Sequence, residues 1–171
     1  YNRLMKCRTN ESDMAISRIG ENMEDRYGFK AKEFSTEEWV QGYYAVIKGK
    51  PVIISKEPED FFYPTTMEKR KGHVVTEVRP ETICQSTGLH DKNGKLIWEN
   101  DVIKYHFGNV YAKIRYGAYQ SCFDSQKAEH IGFYVDWPES RNYRKDLGYW
   151  INMVNAEVIG NIFDNPELLE V

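Results

Sequence analysis

The sequence predicts a β-rich α+β fold: an N-terminal helix and a β-hairpin region packed on a small, SH3-like C-terminal β-barrel, with a short C-terminal helix. Three observations carry this. Apolar residues take a period of two from Phe29 onward, turn signals recur at roughly even intervals through the second half, and Asn165-Pro166-Glu167 sets proline at a first helical position after an asparagine cap. The 171 residues, 41% hydrophobic and 14% aromatic, suffice for one good core or two small ones.

Residues 1–27 read as an N-terminal extension: Ser12 caps a helix in which Ala15, Ile16, Ile19 and Met23 share a face, and Gly20 weakens it. Residues 28–80 form the hairpin region. There Trp39, Tyr43 and Ala45 alternate with Val40, Tyr44 and Val46, Gly49 makes the turn, and Pro51-Val52-Ile53-Ile54 returns. Glu57 through Gly72 is polar and proline-punctuated and predicts an exposed loop, followed by a strand over His73–Val78. Residues 81–171 supply the barrel. Asn93-Gly94 predicts a tight turn with positive φ at both central positions. Strands then follow over Val102–Phe107, Val110–Tyr116, Ala118–Phe123, Gly132–Trp137 and Asn155–Phe163, with turns at Gly108-Asn109 and Gly117 and a loop through Arg141–Lys145. There is no internal repeat.

Three separated stretches carry a resemblance. Phe29-Lys30-Ala31-Lys32 with Glu38-Trp39-Val40-Gln41-Gly42-Tyr43-Tyr44 opens the series, and Thr87-Gly88-Leu89-His90-Asp91-Lys92-Asn93-Gly94-Lys95-Leu96-Ile97-Trp98-Glu99-Asn100-Asp101-Val102-Ile103-Lys104 forms its centre. Gly160-Asn161-Ile162-Phe163-Asp164-Asn165-Pro166-Glu167-Leu168-Leu169 ends it. In this order the stretches resemble the YopX family of bacteriophage and prophage proteins. Asn100 departs from the glycine usual in that family, and asparagine is the non-glycine residue that best tolerates left-handed φ. The resemblance marks Gly88, Asp91, Asn93, Gly94, Asn100, Asp101, Gly160 and Pro166 as structural motif positions. It implies a phage-encoded protein made in the bacterial host cytoplasm and no particular reaction, and it makes residues 1–22 an extension ahead of the usual start at Met23.

Other classes find little support. A formal net charge of −3 gives no global basic footprint. No apolar run reaches the length of a membrane span, and no apolar signal core stands at the N-terminus. Cys7, Cys84 and Cys122 are odd in number and widely spaced, which suits free thiols in a reducing compartment. His73, His90, His106 and His130 lack metal-ligand spacing, and Cys122 reads as a packed thiol rather than a nucleophile. The carboxylates Glu37/Glu38, Glu57/Glu59/Asp60 and Glu99/Asp101 are explained by solvated turns more simply than by acid–base work. No metal, cofactor or catalytic residue is assigned.

What remains is adhesion. Alternation places Tyr111, Lys113 and Arg115 on one face of a strand and Ala112, Ile114 and Tyr116 on the other, so Tyr105, Tyr111, Lys113, Arg115 and Tyr143 are the candidate binding residues. The expected function is a non-enzymatic binding module for a host or phage protein, with self-association into a homo-oligomer through aromatics and strand edges. The alternative is a nucleic-acid-binding accessory of phage DNA metabolism that also uses Lys69, Arg70, Lys71, Arg141, Arg144 and Lys145.

Overall fold

The computed structural model describes residues 25–62, 69–105, 110–120, 128–138 and 143–170. In chain order the strands are β1 (Phe29–Lys32), β2 (Trp39–Ile47), β3 (Lys50–Ile54), β4 (Glu59–Phe62), β5 (Lys69–Gly72) and β6 (Val75–Glu77). They continue with β7 (Cys84–His90), β8 (Leu96–Trp98), β9 (Asp101–Tyr105), β10 (Val110–Tyr119), β11 (His130–Asp136) and, after a helix α1 (Leu147–Asn152), β12 (Val158–Asn161). Single 3₁₀ turns stand at Pro80–Thr82 and Pro166–Leu169. A six-stranded sheet has the order β6-β3-β2-β1-β7-β8, a four-stranded sheet the order β11-β10-β9-β12, and β4-β5 form a separate ribbon.

The larger core lies under the four-stranded sheet. Ile103, Ala112, Ile114 and Val135 point from its strands onto Leu147, Trp150 and Ile151 of α1, with Ile97 and Trp137 filling the sides. The three α1 residues are spaced i, i+3, i+4, so a helix of six residues buries one face completely. Both buried indoles, Trp137 and Trp150, donate to the Arg144 carbonyl at 3.1 and 2.6 Å, which removes the cost of burying their N–H groups. A smaller core, Ala31, Ile53 and Val78 with Phe29, Val40 and Ile83, backs the six-stranded sheet.

Several expectations are corrected. The fold is mostly β-sheet, and among the described residues the sheets are open and no barrel closes. Closure fails because β7 is drawn to β1, with Phe29 opposite Gln85 and Lys30 opposite Cys84, and it takes β8 along. Residues 57–72 are not simply an exposed loop, since Asp60 pairs with Lys71 and Phe61 with Arg70 across the β4–β5 ribbon. Gly117 does not end a strand; β10 runs through it to Tyr119. The segment after Lys145 contains α1, which is too short to show a helical period in the sequence. The expected C-terminal helix is one 3₁₀ turn. The helix expected from Ser12 lies outside the described residues, as do Cys7, His106, the Gly108-Asn109 turn, Cys122 and Arg141.

Turn geometry is also redistributed. Lys48 and Gly49, with φ of 51° and 79°, are the two-residue turn with both central positions left-handed, and Ile47 pairs with Lys50 across it. At Asn93-Gly94 only Gly94 is left-handed, at 78°. Asp91 decides this: its Oδ1 accepts from the Asn93 and Lys95 N–H groups at 2.8 and 3.0 Å while its carbonyl accepts from Gly94 at 2.9 Å. The β7–β8 connection therefore becomes a longer loop closed by an aspartate.

Candidate functional site

Lys30 and Lys32 share one face of β1, while Phe29 and Ala31 turn to the small core. The β1–β2 register sets Lys30 beside Gln41 and Lys32 beside Trp39. Across the gap between the two large sheets, the Lys30 ammonium donates to Asp101 Oδ1 at 2.7 Å. The other Asp101 oxygen accepts the Trp98 N–H at 2.9 Å. That ammonium also lies 5.0 and 5.5 Å from the rings of Trp39 and Trp98, so a buried charge is met by a counter-ion and two π-faces. Burial pushes the Asp101 carboxyl above its ordinary range, against the pull of Lys30.

A second set of contacts lies beside the first. Lys32 Nζ is 2.7 Å from Asp164 Oδ1, and Asp164 Oδ2 accepts from the Trp39 indole and the Asn161 amide, each at 2.7 Å. Partial burial alone would raise the Asp164 carboxyl, but donors on Asn161, Lys32 and Trp39 hold it below its usual range. A cavity of about 310 Å³ opens here, lined by Trp39, Gln41, Lys95, Leu96 and Asn161 with parts of Lys30, Trp98 and Asp164. Its acidic groups, Asp164 and the Asp101 behind it, are engaged by lysine, indole or amide donors. This arrangement fastens the sheets together and can hold a small polar or aromatic group at its mouth.

The backbone between these anchors is equally constrained. Asn100 takes the left-handed φ of 67°, donates its N–H to Ile114 at 2.8 Å and accepts from Ile162 at 3.0 Å, tying β10 to the final motif. Asp91 Oδ2 accepts from Val158 of β12 at 3.2 Å, and although burial opposes it, donors from Lys95, Val158 and Asn93 hold this carboxyl below its usual range. A Cβ on Gly160 would come within 2.4 Å of Asn165 Oδ1 and 3.1 Å of Leu168 Cδ1, so any other residue there requires the side chains of the Pro166 turn to move. Gly88, at φ 72°, sits in the β7 irregularity between Ser86 and His90. Cys84 is buried beneath the junction and its thiol is pushed up to about 11 by burial.

Residues 29–170 match the YopX protein family, and that span contains all three stretches that meet here. The chain belongs to the YopX family. Among solved structures it is similar to protein EF1440 from Enterococcus faecalis, with 24% identity, 82% of this chain and 96% of that chain covered, and a TM-score of 0.46. A comparison with curated proteins gives no match.

The binding residues expected from this YopX sequence are only partly brought together. Tyr111, Lys113 and Arg115 face outward on β10, while Ala112 and Ile114 are wholly buried. Lys113 and Arg115 converge on Asp136 Oδ2 at 3.9 and 3.4 Å. Tyr143 is elsewhere, packed edge-on to Trp137 at 5.3 Å in the core, and the Tyr105 side chain lies outside the description. Lys69, Arg70 and Lys71 belong to the ribbon, where Lys69 is 2.7 Å from Asp60. The Arg144 guanidinium lies 4.8 Å from the Tyr149 ring, whereas Lys145 reaches the Tyr134 ring at 5.8 Å. Sequence reasoning missed Lys30, Lys32, Trp39, Trp98, Asn161 and Asp164 as one cluster. The signal was available in the three stretches themselves, because Lys30 and Lys32 stand two apart on a strand and so share a face.

Among the described residues no helix is long and apolar enough to cross a membrane, and no three His, Cys, Asp or Glu side chains gather as metal ligands.

Proposed function

We propose that this YopX-family chain is a non-enzymatic binding module, phage- or prophage-encoded and acting in the host cytoplasm, that holds a host or phage protein on the projecting half of the β2–β3 hairpin. One observation carries the reading. β1 pairs with β2 only from Trp39 to Gly42, and among the described strands the stretch from Tyr43 to Ile47 pairs with β3 alone. Among the described residues its other backbone edge therefore pairs with no strand, and Tyr43, Tyr44, Val46 and Ile47 are 41%, 39%, 59% and 43% exposed. By register Val75 shares the face of Tyr43 and Ile47 while Tyr44 and Val46 are on the other, so both faces of the hairpin carry exposed apolar side chains. Grouped apolar side chains next to an unpaired strand edge suit strand addition by a protein partner, with backbone hydrogen bonds supplying affinity and alternate side chains specificity. A second copy of the chain can use the same edge, which is the basis for self-association.

The test is capture from nuclease-treated host lysate by the tagged wild-type chain and by a Val46→Asp, Ile47→Asp variant, with Lys95→Glu as a control at the cavity. A single protein held in near-equal amount by wild type and Lys95→Glu but lost with the hairpin variant supports the reading. Equal retention by the hairpin variant, or no protein left after nuclease, contradicts it.

A further inference from the structure

We propose that the outward face of the four-stranded sheet binds single-stranded nucleic acid. This inference stands apart from the hairpin reading, since it concerns the other sheet and a different class of partner.

The β10–β11 register places Arg115 opposite Tyr134, Lys113 opposite Asp136 and Tyr119 opposite His130, all on the face turned away from α1. On β9, Lys104 lies opposite Tyr111 with its ammonium 5.7 Å from that ring. Midway along the ladder Gly117 faces Gly132, so the face carries no side chain there. The rings on either side close over the gap: Tyr119 and Tyr134 stack with centroids 5.2 Å apart and planes 25° apart, and His130 stacks on Tyr119 at 5.2 Å and 28°. Lys145, held along the β11 edge where its carbonyl accepts from Val135 at 2.9 Å, places its ammonium 5.8 Å from the Tyr134 ring.

The charge of this face is lopsided in a chain of formal net charge −3. Lys104, Lys113, Arg115 and Lys145 stand against two carboxylates: Asp136, which holds Lys113 and Arg115 at 3.9 and 3.4 Å, and Asp146, beside Tyr134 in the ladder and 3.7 Å from the Arg144 guanidinium. Near-parallel rings flanked by cations match what unpaired bases and their phosphates require: π-faces for stacking and positive charge tracking the backbone. A duplex hides its base faces, and an acidic peptide has no use for the stacked rings, so the combination selects single strands. Asp136 then acts as an internal competitor for the phosphates.

The test is fluorescence anisotropy of a labelled oligothymidylate of about 15 nucleotides, the upper range of one binding site, titrated with the full chain at several salt concentrations. Binding should weaken with salt, each phosphate contact adding about −0.7 to the log–log slope. Tyr134→Ala should weaken binding about tenfold with the slope unchanged, the loss of one stacking partner. Arg115→Ser, at an exposed position that leaves folding intact, should lower the slope by about one contact. Asp136→Asn should tighten binding several-fold. The proposal is overturned if the oligonucleotide does not bind at low salt, if a duplex of equal length or polyglutamate binds as well, or if Arg115→Ser and Asp136→Asn both leave affinity and slope unchanged.

Discussion

The motif junction and the β2–β3 hairpin invert the usual placement of residues, the one burying charge and the other exposing apolar side chains. At the junction Lys30 and Asp101 are 8% and 1% exposed and hydrogen-bonded to one another; on the hairpin Val46 is 59% exposed and, among the described strands, its stretch of β2 pairs with β3 alone. Charged groups are buried where the two sheets meet, and apolar groups are left in water where a sheet projects. Burying an ion pair stabilises little against an apolar equivalent but penalises strongly any arrangement that separates the partners. The junction therefore specifies how the sheets join, and the residues that distinguish the sequence go to that task. The surfaces proposed for binding lie mostly outside the three stretches that carry the family resemblance, although Tyr43 and Tyr44 belong to the first of them.

This contrast can be broken most forcefully at the ion pair. Asp101→Ala leaves a buried ammonium without its counter-ion and should cost about 3–5 kcal/mol in urea unfolding, while Lys30→Met with Asp101→Leu should recover most of it. A loss below about 1 kcal/mol from the single variant would remove the distinction between the two regions. Next in size is Gly42→Ala, at the boundary where β1 stops covering β2. Its Cβ would lie 2.0 Å from the Ile54 carbonyl oxygen, so the hairpin must shift, at a cost of about 3 kcal/mol by thermal melting. Asp164→Asn sharpens the electrostatic side. Because that carboxylate is partly exposed, the loss at neutral pH should be at most about 1 kcal/mol. A carboxyl held low in the fold contributes fully above its unfolded pKa and loses that contribution as pH falls through the folded value, so the gap between wild type and variant should close below about pH 4. Asp101, raised by burial, has the opposite sign, so the difference between the two chains, not the wild-type curve alone, is the quantity to follow. Smallest is Val46→Ser, which should change stability by no more than about 0.5 kcal/mol.

Local pattern made much of the strand content legible. The two-residue alternation on β10 identified Ala112 and Ile114 as core and Lys113 and Arg115 as surface, because pleat parity is a property of the strand itself. The turn at Gly49 was readable for the same reason, depending on a few adjacent residues, whereas the left-handed Asn100 was read from its departure from the glycine usual in the family. Sheet membership was not. Which strand β7 joins depends on contacts between residues more than fifty positions apart, and assigning it to a barrel with its sequence neighbours misplaced an entire sheet. The turn at Asn93-Gly94 misled because Asp91 captured the backbone N–H groups that a simpler hairpin would leave to the strands. The Lys30–Asp101 pair spans 71 positions, and nothing in either residue announces the other. Both members lay inside the stretches that carried the family resemblance, yet of the two only Asp101 was marked as a motif position, and the cluster itself was not read from the sequence.

Native-state hydrogen exchange compares the two regions most directly. If the junction fastens the sheets while the hairpin projects from them, amides of Lys30, Lys32 and Val102 should exchange only through global unfolding, and those of Val46 through Gly49 through local opening that global stability does not govern. Equal protection in both places, or faster exchange at the junction than at the hairpin tip, would contradict the account.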